Sequence, residues 1–220
     1  MTEPTQRGFD RLAPWYDGLS LFFGRALHRS QASMLDCVDP SRRILLIGGG
    51  TGRLLATLSN QFPGVPIDAV DISEQMLQRS RRRLSNSAAA NVCFIQADIR
   101  TWSPDRNYDL IVTPYVLDCF EDATVGQLCS RLARSLHRGG RWLFCDFDVP
   151  PPTRPMHTPA RLVIAGLYRF FGVTCSLAAR RLPDFGGAFA SASLEVVVER
   201  RYCGGLMKSR LYVTATSALR

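Results

Sequence analysis

Apolar positions come in short blocks from Arg43 onward, separated by longer stretches of mixed polarity. The first block is Ile44-Leu45-Leu46-Ile47, four apolar residues in a row, as expected of a strand buried on both faces. Similar blocks predict strands at Ile67–Asp71, Val92–Gln96, Leu110–Thr113 and Arg141–Phe147. Between them, helical spacing predicts Gly52–Gln61, Ser73–Ser85 and Ala123–Leu136. Ser73 is placed to cap its helix, with Glu74 adding negative charge in the first turn. The third helix is expected to stop at His137-Arg138-Gly139-Gly140, where cations and then glycines follow. Strands alternating with helices imply a parallel α/β sheet.

Two regions depart from this rhythm. Residues Phe9 to Val38 read as helical, with their own aromatics. After the fifth strand, Pro150-Pro151-Pro152 breaks the chain, and an apolar, aromatic helix follows from about Ala160 to Phe171. The sequence then offers two strand-like runs, Ser193–Tyr202 and Leu206–Ala215, joined at Cys203-Gly204-Gly205 as a hairpin would be. One domain over residues 1–220 accounts for this: a helical cap (1–40), a core (41–149), a helical segment (150–190) and the hairpin (191–220).

Composition excludes more than it assigns. The seven cysteines are scattered and form no C-x-x-C pair, against a disulfide scaffold or a zinc site and for small core residues in a reducing cytoplasm. The longest oily region, Leu162 to Val173, is interrupted by Arg169 and is short of the roughly 20 residues that cross a bilayer. No secretory signal is visible. The net charge of +8 comes from arginines spread along the chain, with Lys208 the sole lysine. Their densest run, Arg79 to Arg83, falls on one helix and reads as a solvated face rather than a nucleic-acid footprint.

The chemistry concentrates at Gly48-Gly49-Gly50-Thr51-Gly52, between the first strand and its helix. Glycines there let the backbone turn sharply and approach a ligand, and the helix beyond offers unpaired N–H groups. A dinucleotide fingerprint, G-x-G-x-x-G, would place a third glycine where Arg53 stands, and a phosphate loop would need a lysine that does not follow. The compact G-x-G-x-G form suits a ligand without pyrophosphate. Asp71, ending the second strand about twenty residues on, can accept bonds from both hydroxyls of a ribose. Asp98 and Ile99 follow the third strand, where a carboxylate would meet an adenine amino group. Ile72 and Met76 offer apolar walls for the ring, or plain core packing.

Taken in order, Ile44–Gly52, Val70-Asp71-Ile72-Ser73 and Gln96-Ala97-Asp98-Ile99 resemble the class I methyltransferases that use S-adenosylmethionine. The resemblance implies a Rossmann-like, doubly wound sheet of seven strands, mostly parallel, with a C-terminal antiparallel hairpin. It also implies that Gly48, Gly49, Gly50 and Gly52 hold the methionine part of the cofactor, Asp71 the ribose and Asp98 the adenine, with Thr113 a further contact. Phe9 to Asp17 is similar to the opening of the ubiquinone/menaquinone C-methyltransferases and their small-molecule relatives, which would set Tyr16 near the reacting methyl. Two departures stand out. Leu46 takes a position, two before the first glycine, that is often acidic in the family. Thr113-Pro114-Tyr115-Val116-Leu117-Asp118 replaces the glycine-arginine-asparagine run of the quinone enzymes.

A sulfonium methyl is already electrophilic, so the protein must align and desolvate a nucleophile and supply a base where a proton leaves. Tyr16, Tyr115 and Asp118 are the candidates for that work. Residues 160–182, with Leu162, Val163, Leu167, Phe170 and Phe171 on one predicted face and several arginines nearby, fit a lid over an oily acceptor, a patch touching a membrane surface, or a helix packed on the sheet. The expected activity is methyl transfer to a small, apolar or aromatic molecule in the cytoplasm. A methyltransferase fold retained as an inactive binding module stays open because of Leu46. An NAD(P)-dependent oxidoreductase is disfavoured by Arg53 and the hairpin. An RNA methyltransferase lacks its Asn/Asp-Pro-Pro-aromatic run after the fourth strand.

Overall fold

The computed structural model describes residues 25–40, 42–175 and 179–214, apart from the side chains of 173–175. The predicted Tyr16, the cap before residue 25 and the last residue of the predicted hairpin lie outside them. Seven strands form one sheet in the order β3-β2-β1-β4-β5-β7-β6. They are β1 Ile44–Ile47, β2 Ile67–Asp71, β3 Val92–Gln96, β4 Tyr108–Pro114, β5 Leu136–Phe147, β6 Leu194–Tyr202 and β7 Met207–Thr214. The first five are parallel; β7 runs antiparallel to β5, and β6 antiparallel to β7. The fold is α/β, mostly parallel, with the C-terminal hairpin that the sequence implies.

Helices cover both faces. α1 (residues 25–32) and α2 (Arg53–Gln61) lie on one side, where Leu54, Leu55 and Leu58 join Leu46, Leu110, Val112 and Leu143. On the other side α5 (Asp122–Ala133) buries Val125, Leu128, Cys129 and Leu132, a spacing of three and four that keeps one helix face on the sheet. α3 (Glu74–Arg83) begins where its sequence predicts: Ser73 Oγ accepts the Met76 N–H at 3.2 Å. A single turn, α4 (Asn86–Ala89), follows. α5 ends earlier than the predicted Leu136, because the Ser135 hydroxyl and N–H both turn back onto the Leu132 carbonyl. Leu136 is thereby released to pair with Tyr108, and β5 starts there rather than at Arg141.

The segment predicted as helix over Ala160–Phe171 is longer, α6 His157–Cys175, and its predicted apolar face is split: Val163, Leu167 and Phe171 are half-buried, whereas Phe170 is exposed. Ala160 and Ile164 are buried, whereas Leu162 is 69% exposed. A further helix, α7 (Phe185–Ser191), is absent from the sequence reading. Its Phe189 stacks on Tyr212 at 4.0 Å and meets Trp142 edge-on at 4.9 Å. The end of the 150–190 segment is therefore core, and α6 packs over the neighbouring ends of β5 and β7.

Opposite the glycine loop, Asp68 is buried between Arg43 (Nη1 to Oδ1, 3.0 Å) and the Tyr108 hydroxyl, which donates to Oδ2 at 2.9 Å. Burial, followed by the hydrogen bond to this carboxylate and then its charge, pushes the Tyr108 phenol well above its usual range. Tyr108→Phe leaves a buried carboxylate short of one donor and is expected to cost about 1.5–3 kcal/mol in denaturant unfolding, with cofactor affinity unchanged.

Candidate functional site

The order of strands reverses between β1 and β4, and in open α/β sheets ligands bind beyond the carboxyl ends of the strands at this point. Three loops meet there. The first is the glycine loop, in which Gly48, Gly50 and Gly52 all have positive φ. A Cβ on Gly48 would lie 2.9 Å from Val116, one on Gly49 2.9 Å from Leu46, and one on Gly52 2.5 Å from the Ser80 Cα. The loop is thus wedged between the turn after β4, its own strand and α3. Ser80 Oγ donates to the Gly50 carbonyl at 2.9 Å and fixes its other side. Gly52 does the close packing for which a dinucleotide fold uses its third glycine, leaving Arg53 exposed at the start of α2.

The second loop follows β2. Asp71 Oδ1 accepts the Ser73 N–H at 2.9 Å, which sets the rotamer of the carboxylate at the strand end. Ile72 is half-buried beside it and Met76 is buried. The third loop, after β3, departs from expectation. Asp98 is turned onto its near neighbour Arg100: Oδ1 accepts the backbone N–H at 3.0 Å and Nε at 2.8 Å, and Nη2 closes on Oδ2. The hydrogen bond to Arg100 holds this carboxyl below its ordinary range. Arg131 of α5 bonds the Ile99 and Arg100 carbonyls. The Ile99 side chain packs in the core, and the Thr113 hydroxyl is buried and accepts the Trp142 Nε1–H at 2.8 Å.

The turn after β4 carries the other two candidates. Tyr115 has φ of 52°, an uncommon conformation for a bulky residue and one held by its surroundings. Its ring meets Phe147 edge-on at 5.1 Å, and its hydroxyl is 2.6 Å from Ser30 Oγ on α1. Ser30 Oγ donates to the Leu27 carbonyl, so in the Ser30 pair the Tyr115 hydroxyl is the donor. The contact ties the turn to α1. Asp118 is partly buried two residues beyond Val116, and burial pushes its carboxyl up to about 6. Next to it, at the end of β5, lies Asp146, fully buried. Asp146 Oδ2 accepts the Asp118 N–H at 3.2 Å and Oδ1 the Phe147 N–H at 2.9 Å. Burial, then the charge of Asp118, holds Asp146 well above the usual carboxylate range. From α6, the Tyr168 hydroxyl donates to the Asp118 carbonyl at 2.9 Å.

Comparison with known proteins bears on this arrangement. Residues 44–140 match the family described as "Methyltransferase domain". The chain is 33% identical over 153 residues to the malonyl-[acyl-carrier protein] O-methyltransferase of Halalkalibacterium halodurans, covering 66% of this chain and 55% of that one. It is 28% identical to the demethylmenaquinone methyltransferase of Tropheryma whipplei, covering 77% and 66%. The chain carries a class I S-adenosylmethionine-dependent methyltransferase domain. Its fold is that of the solved DhpI–S-adenosylhomocysteine complex, with a TM-score of 0.71 at 16% identity over 97% of both chains. The chain spans about half the length of the malonyl-[acyl-carrier protein] O-methyltransferases it matches.

For this methyltransferase domain, sequence reasoning missed Ser80, Ser30 and Asp146. Ser80 and Ser30 carry no local signal, since each acts across about thirty or more residues of chain. Asp146 did carry one: a carboxylate inside the apolar run Trp142–Phe147, where an acid is costly unless its surroundings use it. Leu46 also gains an account. Its side chain is the floor against which Gly49 lies, so packing supports the loop at a position that is often acidic in the family.

Proposed function

We propose that this chain is an enzyme that binds S-adenosylmethionine over the 48–52 loop and Asp71 and methylates a small apolar or aromatic molecule. The single observation that carries the reading is the wedging of the loop by Val116, Leu46 and Ser80, which aims its backbone into the switch point beside a rotamer-fixed Asp71. The residues suit the cofactor. Gly48 and Gly52 spend their own N–H groups on Val70 and Gly49, so the loop amides between them meet the methionine part, Asp71 accepts from the ribose hydroxyls, and Ile72 and Met76 flank the adenine. Asp98, paired with Arg100, reaches the adenine through its remaining acceptor capacity or leaves that contact to backbone groups. When bound, S-adenosylmethionine supplies a methyl made electrophilic by its positive sulfur.

The chain's own residues do the rest. Tyr115, Phe147 and Tyr168 are aromatic neighbours of the Asp118 turn, which supports an apolar or aromatic acceptor. α6 covers them, with Ala160 and Ile164 inward, and is assigned the role of a lid that excludes water. Asp118 takes the role of base, while Tyr115 holds the turn in place and Tyr16 remains a candidate from the family resemblance alone. Calorimetric titration with S-adenosylmethionine and S-adenosylhomocysteine, with NADH as control, tests the cofactor half. Micromolar binding of both sulfur ligands is expected, weakened about 30- to 300-fold by Asp71→Ala, the loss of charge-assisted bonds worth about 2–3 kcal/mol. Binding of NADH in their place would return the loop to the oxidoreductase reading.

A further inference from the structure

Ser30 of α1 is fully buried, and both of its oxygens are bonded. Its carbonyl accepts the Ser209 hydroxyl of β7 at 2.7 Å and the Cys145 thiol of β5 at 3.4 Å. Those two bonds pin this point of α1 to neighbouring strands of the sheet. Its hydroxyl donates to the Leu27 carbonyl and accepts the Tyr115 hydroxyl at 2.6 Å. Tyr115 needs such a hold, because its φ of 52° is one that a bulky residue leaves unless its surroundings fix it. Its N–H reaches the Cys145 carbonyl at 2.7 Å and its ring leans on Phe147; the bond to Ser30 adds a hold from the helix layer. The next residue carries that hold to the ligand side. Val116 is β-branched, so few rotamers are open to it and its backbone sets where its methyls stand. They stand against Gly48, where an added Cβ would lie 2.9 Å from both Val116 Cβ and Cγ2.

We propose that Ser30 is a positioning residue for the cofactor loop: by holding the Tyr115 hydroxyl it fixes the turn after β4, and with it the Val116 wall on which Gly48 is seated. The proposal rests on the cofactor reading above and extends it to a residue of α1, eighteen positions before the first glycine of the loop. It also gives the Tyr115 hydroxyl a task other than proton transfer, since its one hydrogen is spent on Ser30. Without that bond Tyr115 relaxes toward ordinary backbone angles, Val116 moves off Gly48, and the loop loses its wall. A ligand must then close the loop at the expense of its own binding energy, so affinity falls in proportion to the share of molecules that are not preset.

Calorimetric titration of the full chain with S-adenosylhomocysteine tests this as a double-mutant cycle and needs no knowledge of the acceptor. Ser30→Ala and Tyr115→Phe delete the shared bond from its two sides. Each is expected to weaken binding about threefold to tenfold, the range of one hydrogen bond's net contribution. The double variant should bind no more weakly than either single one, because the same bond is gone in all three. Tyr108→Phe is the control for a merely structural effect: it removes a buried bond opposite the glycine loop and should lower stability with affinity unchanged. Tyr115→Phe leaves α1 untouched and carries the test if Ser30→Ala does not fold. Unchanged affinity in the single variants would overturn the proposal, as would losses that add, since the two side chains would then act separately. In either case wild-type binding leaves the cofactor reading standing, whereas a wild-type chain that binds no S-adenosylhomocysteine would defeat that reading and the proposal with it.

Discussion

Gly52→Ala is expected to lower the unfolding free energy by about 2–4 kcal/mol and to weaken S-adenosylmethionine binding at least tenfold in the protein that still folds. Two costs combine. Gly52 sits at φ 86° and ψ 12°, a left-handed conformation that costs an alanine about 1–2 kcal/mol. The added Cβ would also stand 2.5 Å from the Ser80 Cα and 2.8 Å from its Cβ. A backbone atom cannot rotate away, so α3 must move off the loop. That movement takes Ser80 Oγ from the Gly50 carbonyl, and the loop loses the bond that shapes its ligand-facing side. Gly64→Ala provides the comparison: φ is 82° there and nothing lies within 4 Å of the new methyl group. It should show the conformational cost alone, about 1–2 kcal/mol, with cofactor binding unchanged. Denaturant midpoints and calorimetry on the two variants separate strain from packing. Equal losses in both would mean that the Gly52–Ser80 contact does not shape the site.

Among the strands that frame the site, β1 was readable because it is buried on both faces and announces itself as an unbroken apolar run, and β2 and β3 as short blocks rich in apolar residues. β1, β2 and β3 match their predicted spans residue for residue. α3 was readable through its Ser73 cap. What escaped was set by contacts between distant segments. α7 is a seven-residue stretch, FGGAFAS, with two glycines against helix formation; it is held by Phe185 and Phe189 on Trp142, Phe144 and Tyr212, a surface that exists once the sheet has formed. The inward face of α6 was legible in part, at Val163 and Leu167 but not at Leu162 and Phe170, for the same reason. Apolar residues occur all around it, and the neighbouring ends of β5 and β7 select Ala160 and Ile164 for burial. At the site, residue type revealed where ligand-facing groups sit along the chain but not what those groups already hold. Thr113 and Asp98 stand at suitable positions, yet one bonds Trp142 and the other Arg100. Asp118 was legible as a carboxylate after β4. Its partner on β5 became visible when the parallel register set the two strand ends side by side.

Asp118→Asn should make the protein more stable and far less active. Burial raises this carboxyl from 3.8 to about 6, so between those values the folded protein binds more protons than the unfolded chain. Stability must then fall as pH rises through that window and stay low above it, because ionisation is easier in the unfolded state. The full shift corresponds to about 3 kcal/mol. Asp118 keeps part of its surface accessible, which screens the charge, so about 1–2 kcal/mol is expected at pH 7.5. Asparagine removes the charge at nearly constant shape, and the gain should appear as a rise in melting temperature of about 2–8 °C for a chain of this size. The same change removes the base: with a proton-losing acceptor, kcat is expected to drop about 100- to 10,000-fold. The wild-type rate should decline below about pH 6, and that limb should vanish from the variant's residual rate. Thermal melts at pH 4.5 and 7.5 decide the matter, because the stabilisation must be small at the lower pH and larger at the higher. A variant less stable than the parent at pH 7.5 would show that Asp118 is a structural anchor, held in place for its hydrogen bonds. The predicted outcome describes instead a charge kept at a cost to the fold, at the point where a proton leaves the acceptor.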